Sequence, residues 1–210
     1  MGPGMKNVPE TIPGKRKLIY FPIVHTASDM GGLSDAVKSI YLSKVGRTGW
    51  KRKEDMVNRF WDHIEDTISG LDVEPGKIRI YQDGLPAELQ GKELEIVERL
   101  AADGSRNHRL VLELVKKGAK LMGTESTELL MAEYDLTKKL LEPQSPVKKN
   151  ERKQILQQQD EILQKRDKFI SARINDTLRD GELGIIFLGM LHNIRPWLMP
   201  DIEVMFPVKL

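Results

Sequence analysis

The chain reads as an α/β protein: a single domain with a mainly parallel sheet of four or five strands, flanked by helices, with one long helix before the fourth strand. Three observations carry this reading. The runs Leu18–Val24 and Gly184–Leu191 are almost wholly apolar, as strands are when both faces of a parallel sheet are covered. Strand-like and helix-like runs alternate along the sequence, the order that βα units produce. A length of 210 residues with 40% hydrophobic and 30% charged side chains suits one sizeable soluble core.

Taken in order, residues 1–16 hold several Gly and Pro and form an expected flexible lead-in, leaving 17–210 as the domain. The first strand runs into His25 and a polar turn, Thr26–Gly32, in which Thr26 and Asp29 are candidate ligand-binding groups. Ser34 can cap a helix carrying Leu33, Val37, Ile40 and Tyr41 on one side. A second helix is expected over Lys51–Ser69, where Met56, Phe60, Ile64 and Ile68 recur every four residues. Pro75-Gly76 punctuates the chain before the strand Lys77–Tyr81, which ends near Asp83-Gly84.

Helices over Leu89–Ala102 and Arg106–Lys117 follow, and Gly118 closes the second. The short strand Ala119–Met122 leads to Gly123-Thr-Glu125, and Thr124 or Ser126 can cap the helix Thr127–Leu141. Pro143 to Pro146 forms a break. The long helix Val147–Arg179 then carries its apolar residues in pairs, Ile155 and Leu156, Ile162 and Leu163, Phe169 and Ile170. That spacing gives one face packed on the domain, or a homodimer through the long helix. The tight Asp180-Gly181 turn feeds the strand ending at His192, and Ile202–Phe206 is the last strand.

Composition narrows the function classes. The 33 Lys plus Arg nearly cancel 31 Asp plus Glu, for a net charge of +2, so neither nucleic acid nor membrane is an expected partner. No apolar run approaches the roughly 20 residues of a membrane span, and the N-terminus has no signal-like apolar region, which fits a cytoplasmic protein. Cysteine is absent, so thiolate ligands and thiol nucleophiles are excluded. No glycine-rich phosphate loop and no Gly-x-Ser-x-Gly elbow is present.

The chemistry then falls to strand ends, because open parallel sheets bind their ligands at the carboxyl rim. His25 and His192 close two apolar strands, and Asp83 and Glu125 close the other two. His63 and His108 fall within helical patterns and read as surface or packing residues. Two imidazoles with Asp83 or Glu125 form a donor set for a divalent metal such as Zn, Mn or Co with open positions for water. Without metal, a histidine beside a carboxylate is a general base on water. Either version predicts hydrolysis of an ester, amide or related bond, on a small molecule or peptide substrate. Asp83 before Gly84 also reads as a turn residue, and Glu125 as a charge at a helix N-terminus.

Arg166 lies about 40 to 60° around the long helix from each of Ile162, Leu163, Phe169 and Ile170, in the middle of the face expected to be buried. Gln159 and Arg173 share its line. From Asp180 back to Arg166 is about 21 Å of helix, and the strand to His192 rises roughly 30 Å, so the long Arg166 side chain approaches the level of His192. It is expected either to stabilise a developing negative charge or to form a structural salt bridge with an acidic neighbour.

The segment from Arg166 through Gly189-Met-Leu-His192 resembles the C-terminal part of the TraB/TIKI proteins and their erythromycin-esterase and ChaN-like relatives. In those proteins an Arg on a helix precedes a strand ending in Gly-x-x-His, and an earlier His ends the first strand. The resemblance covers about the last 45 residues and, loosely, the first strand. It implies His25, His192, Arg166 and Glu125 as catalytic residues, with Asp83 as the alternative carboxylate. The family spans metal-dependent proteolysis, ester hydrolysis, haem-iron binding and signal inactivation, so the resemblance also implies an alternative: a non-catalytic or regulatory module holding an anionic ligand or haem.

Overall fold

Side chains along the central strands divide between two apolar faces, and each face is roofed by different helices. A computed structural model of the protein describes residues 16–23, 34–89, 91–141 and 149–207, with 34–37, 40 and 149 described by backbone alone. Residues 1–15 of the expected lead-in, the strand-end His25, the turn residues Thr26 and Asp29, the capping Ser34 side chain and the Pro143–Pro146 break therefore lie outside what is described, while Arg16, expected in the lead-in, pairs with Ile202 as the first residue of a strand.

Five strands, β1 (Arg16–Ile23), β2 (Ile78–Gln82), β3 (Lys120–Met122), β4 (Leu183–Gly189) and β5 (Ile202–Met205), form one sheet in the order β3-β2-β4-β1-β5. Every pairing is parallel. The helices are α1 (Ser34–Ser69), α2 (Glu93–Ala102), α3 (Arg106–Lys116), α4 (Thr127–Leu141) and α5 (Lys149–Thr177). The fold class is the one the sequence predicts, and the long helix indeed precedes the fourth strand.

On one face, Ile19, Phe21, Ile80, Ile185 and Phe187 pack beneath Val57, Trp61 and Ile64 of α1, Val97 of α2 and Val111 of α3. On the other, Leu18, Tyr20, Tyr81, Ile186 and Leu188 meet Ile170 and Ile174 of α5 and Leu178 just past its end. The period of two in the strands and the three-to-four spacing in the helices account for this division. The chain leaves β1 toward α1 on the first face, and leaves β4 through a loop whose Ile194 packs on the second. β1 and β4 are neighbours, and the carboxyl ends of strands are where open α/β sheets place their ligands.

Two expectations need adjustment. The two helices expected before and after residue 50 are present as the two arms of α1, but they meet at Gly46, whose φ of 69° and ψ of 179° only glycine adopts easily, so the second arm begins earlier than Lys51. Above the kink the Tyr41 ring meets Trp50 edge-on at 5.7 Å, so the two arms close on one another. The long α5 is also not buried along its whole stripe: Leu156 is 45% exposed, while Ile170 and Ile174 are fully buried.

Ile186 sits at the centre of the sheet with no exposed surface. Ile186→Ala should lower the unfolding free energy by about 2–5 kcal/mol in urea titrations. Met190→Ala, at an exposed position just past the same strand, should change it by less than about 0.5 kcal/mol.

Candidate functional site

Beyond the ends of β2 and β3 the chain makes a clasp. Asp83 takes the turn after β2, its amide donating to Phe187 O at 2.9 Å. Thr124 and Glu125 amides both donate to Leu85 O, at 2.8 and 3.0 Å, and the Ala87 amide donates to Glu125 O at 2.8 Å. Gly123 makes the close approach possible, because a Cβ there would lie 2.5 Å from Ala87 Cα and 2.6 Å from Pro86 O. Thr124 Oγ1 accepts from the Gln82 amide at 3.0 Å and donates to Met122 O. The clasp thus fixes two carboxylates, Asp83 and Glu125, side by side.

The opposing wall is α5. Arg166, 5% exposed, enters the site from the line predicted by the helical spacing. Its Nε and Nη2 donate to the two oxygens of Glu125 at 3.1 and 2.6 Å, Nη2 also donates to Asp83 Oδ1 at 2.8 Å, and Nη1 donates to Glu133 of α4. Its line-mates serve the same side of the helix. Arg173 Nε donates to Gly123 O at 3.2 Å, and Gln159 Nε2 donates to Thr137 Oγ1 at 3.0 Å.

His192 stands one turn beyond β4, its amide donating to Gly189 O at 3.1 Å. Its Nδ1 lies 2.5 Å from Asp167 Oδ1, and the second oxygen of Asp167 accepts from the Asn193 amide at 2.9 Å. A carboxylate only accepts, so Nδ1 carries a proton, and in the neutral imidazole Nε2 keeps its lone pair. That nitrogen lies 3.8 Å from Asp83 Oδ2, which also accepts from the Gly189 amide at 2.8 Å. One ligand atom each from Asp83, Glu125 and His192 lies within 4.8 Å of the others.

Arg166, His192, Asp83 and Glu125 are therefore brought together at one rim, while His25, Thr26 and Asp29 fall in the undescribed segment that follows β1. Both candidate carboxylates belong to the cluster. Glu125 turns toward Arg166, and the α4 cap falls to Ser126, whose Oγ accepts from the Leu129 amide at 3.4 Å. His108 is a packing residue, bonded to Ser105 Oγ at 2.7 Å, and His63 is exposed. Two members went unseen in the sequence, Asp167 and Glu133. Asp167 had a signal: it lies four residues after Leu163 and three before Ile170, on the buried stripe itself.

Three carboxylates, Asp83, Glu125 and Glu133, surround the Arg166 guanidinium and a fourth, Asp167, pairs with His192, so the site holds more acids than cations. Burial, and then the Asp83 charge, push the Glu125 carboxyl up. The Arg166 hydrogen bond and charge pull it back down, and the balance lies at about 7. Arg166 stays charged, because Glu125, Asp83 and Glu133 outweigh its desolvation. Burial raises the Tyr20 phenol as well, and its hydroxyl reaches His192 O at 3.4 Å.

A carboxyl raised from 4.5 to about 7 on folding stabilises the folded state in acid, and that contribution is lost as pH rises through about 7. In chemical unfolding followed across pH, the stability of the wild type relative to Glu125→Gln should fall between these two values and level off above them. Gly123→Ala should open the clasp: we expect a loss of about 1–3 kcal/mol together with a shift in the Glu125 carboxyl titration read by NMR. No family model, curated protein or solved structure matches the chain.

Proposed function

We propose that the protein is a small metal-dependent hydrolase whose metal is held by Asp83, Glu125 and His192. The observation that carries this reading is the placement of His192, whose Nε2 lies 3.8 Å from Asp83 Oδ2 while Asp167 holds the opposite nitrogen. A carboxylate behind a ligating histidine fixes its tautomer and raises its basicity, the usual partner arrangement of a histidine ligand. Ligand atoms around a shared ion lie about 3 to 4 Å apart, given metal–ligand distances near 2.1 Å. The His192–Asp83 separation of 3.8 Å already falls in that range. The surplus of carboxylates favours a cation in their midst and disfavours capture of an anion, which counts against the anionic-ligand module.

In this reading a bound Zn, Mn or Co ion would lower the pKa of a water and polarise the carbonyl of an ester or amide. The chain's own residues do the rest. Arg166 keeps Glu125 and Asp83 in register, and one N–H of its Nη1 remains for charge developing on the substrate. Asp167 holds the His192 imidazole with its lone pair inward. His25, in the segment after β1, is the further ligand that the strand-end pattern supplies, in line with the resemblance to the TraB/TIKI group.

Titration of metal-free protein with Co(II), followed by visible absorption and calorimetry, tests this. Stoichiometric binding is expected, with affinity rising as pH passes through about 7, where Glu125 ionises. His192→Ala should abolish binding and any turnover found in an esterase and peptidase screen. Asp167→Asn should cost about 10–100-fold in metal affinity. Absence of both metal binding and turnover would overturn the reading, and a tight ligand without turnover would replace it with the binding module.

A further inference from the structure

The net charge of +2 conceals a strong local excess. Residues 44–59 carry six cations against two acids, so the remaining chain is slightly acidic. They form the part of α1 around and below its kink, where every described side chain except Val57 is at least partly exposed.

Four of these cations share one face of the helix and none is neutralised there. Lower down the same face of the domain, Arg106 is paired with Asp62 and Glu65. Arg47, Lys51, Arg52 and Arg59 have no ion-pair partner among the described residues. Together with Thr48 and Asp55 they line one open, shallow stretch of the helix surface. At about 100° per residue these positions fall within an arc of about 140°. They extend over about 18 Å of helix axis. Unpaired like charges on one face repel each other by a few tenths of a kcal/mol per pair, a cost that a counter-charge removes.

The spread selects the ligand. Cations converging on one point would suit a single phosphate, whereas cations strung along about 18 Å suit an extended polyanion, and that length spans about five phosphates of one duplex strand at 3.4 Å each. The aromatic residues close by are already committed: Trp50 meets Tyr41, and Lys53 lies 4.3 Å from the Tyr41 ring centre. No free ring is offered for stacking on unpaired bases, as single-strand platforms require. A membrane-surface helix would set a continuous apolar face beside its cations, but here only Val45 and Met56 are exposed apolar residues in this stretch. The two arms approach closely at the kink, where a Cβ at Gly49 would lie 2.8 Å from Val45 Cβ.

We propose that this face of α1 is a docking surface for the phosphate backbone of double-stranded nucleic acid, read without base specificity. It stands independently of the metal chemistry. Fluorescence anisotropy with a labelled duplex of two helical turns tests it on the full-length protein. With four phosphate contacts, the affinity should fall about 150-fold between about 50 mM and about 200 mM salt. Combining Arg47→Glu, Lys51→Glu, Arg52→Glu and Arg59→Glu should abolish binding. The same reversal at exposed Lys117, Lys139, Lys153 and Lys165 should leave most of it, with circular dichroism confirming that both variants fold. Absence of duplex binding at low salt, equal losses in the two variants, tighter binding of the single strand, or binding of phosphatidylserine vesicles in place of the duplex would each overturn the proposal.

Discussion

One buried guanidinium sets the arrangement of everything at the carboxyl rim. Arg166 joins α5 to the turn after β2 through Asp83, to the segment after β3 through Glu125, and to α4 through Glu133. A buried ion pair is not in itself a large source of stability, because desolvation offsets much of the attraction. Its effect is on uniqueness. A planar group with five donors in a fixed fork accepts few arrangements of carboxylates, and any slip of α5 along the sheet would leave a charge buried without a partner. The apolar contacts of Ile170 and Ile174 hold α5 down, while Arg166 fixes its register along the strands.

That division explains what was legible in the sequence. Runs of β-branched and aromatic residues identify β1, β2 and β4, and the face of α5 that points inward follows from counting 100° per residue, so Arg166 and His192 could be placed on one rim from spacing alone. The partners could not. Whether Asp83 and Glu125 serve a turn, a helix end or a site depends on the Leu85 and Gly123 clasp, a close backbone approach between segments about 40 residues apart. Asp167 lies on the predicted stripe, but a reading that looks for apolar residues there passes over an acid. Glu133 had no signal at all, since α4 buries none of its residues fully.

The charge reading shows a related limit. Net charge is a sum over the whole surface, whereas a partner meets one face of it, and the balance of 33 cations with 31 acids describes no face in particular. In this chain carboxylates gather around Arg166 at the strand ends, and a run of cations stands on α1.

The way α4 is held follows from the same accounting. With Leu129, Leu130, Leu136 and Leu140 only half-buried and Met131 and Tyr134 exposed, its apolar contribution per residue is smaller than that of α5. Its position depends correspondingly more on polar ties: Glu133 to Arg166, Thr137 to Gln159, and Thr127 to Glu88. Such ties are worth less than core burial and respond to pH and salt, which places α4 toward the low-stability end of the domain. Glu133 is 33% exposed, against 0% for Glu125, so of the two glutamates on Arg166 it is the one water can replace. If Glu133 leaves, a guanidinium nitrogen is freed while Asp83 and Glu125 stay in place. The donor set at the rim is thus built to persist through movements of α4, because the clasp and α5 hold it without that helix.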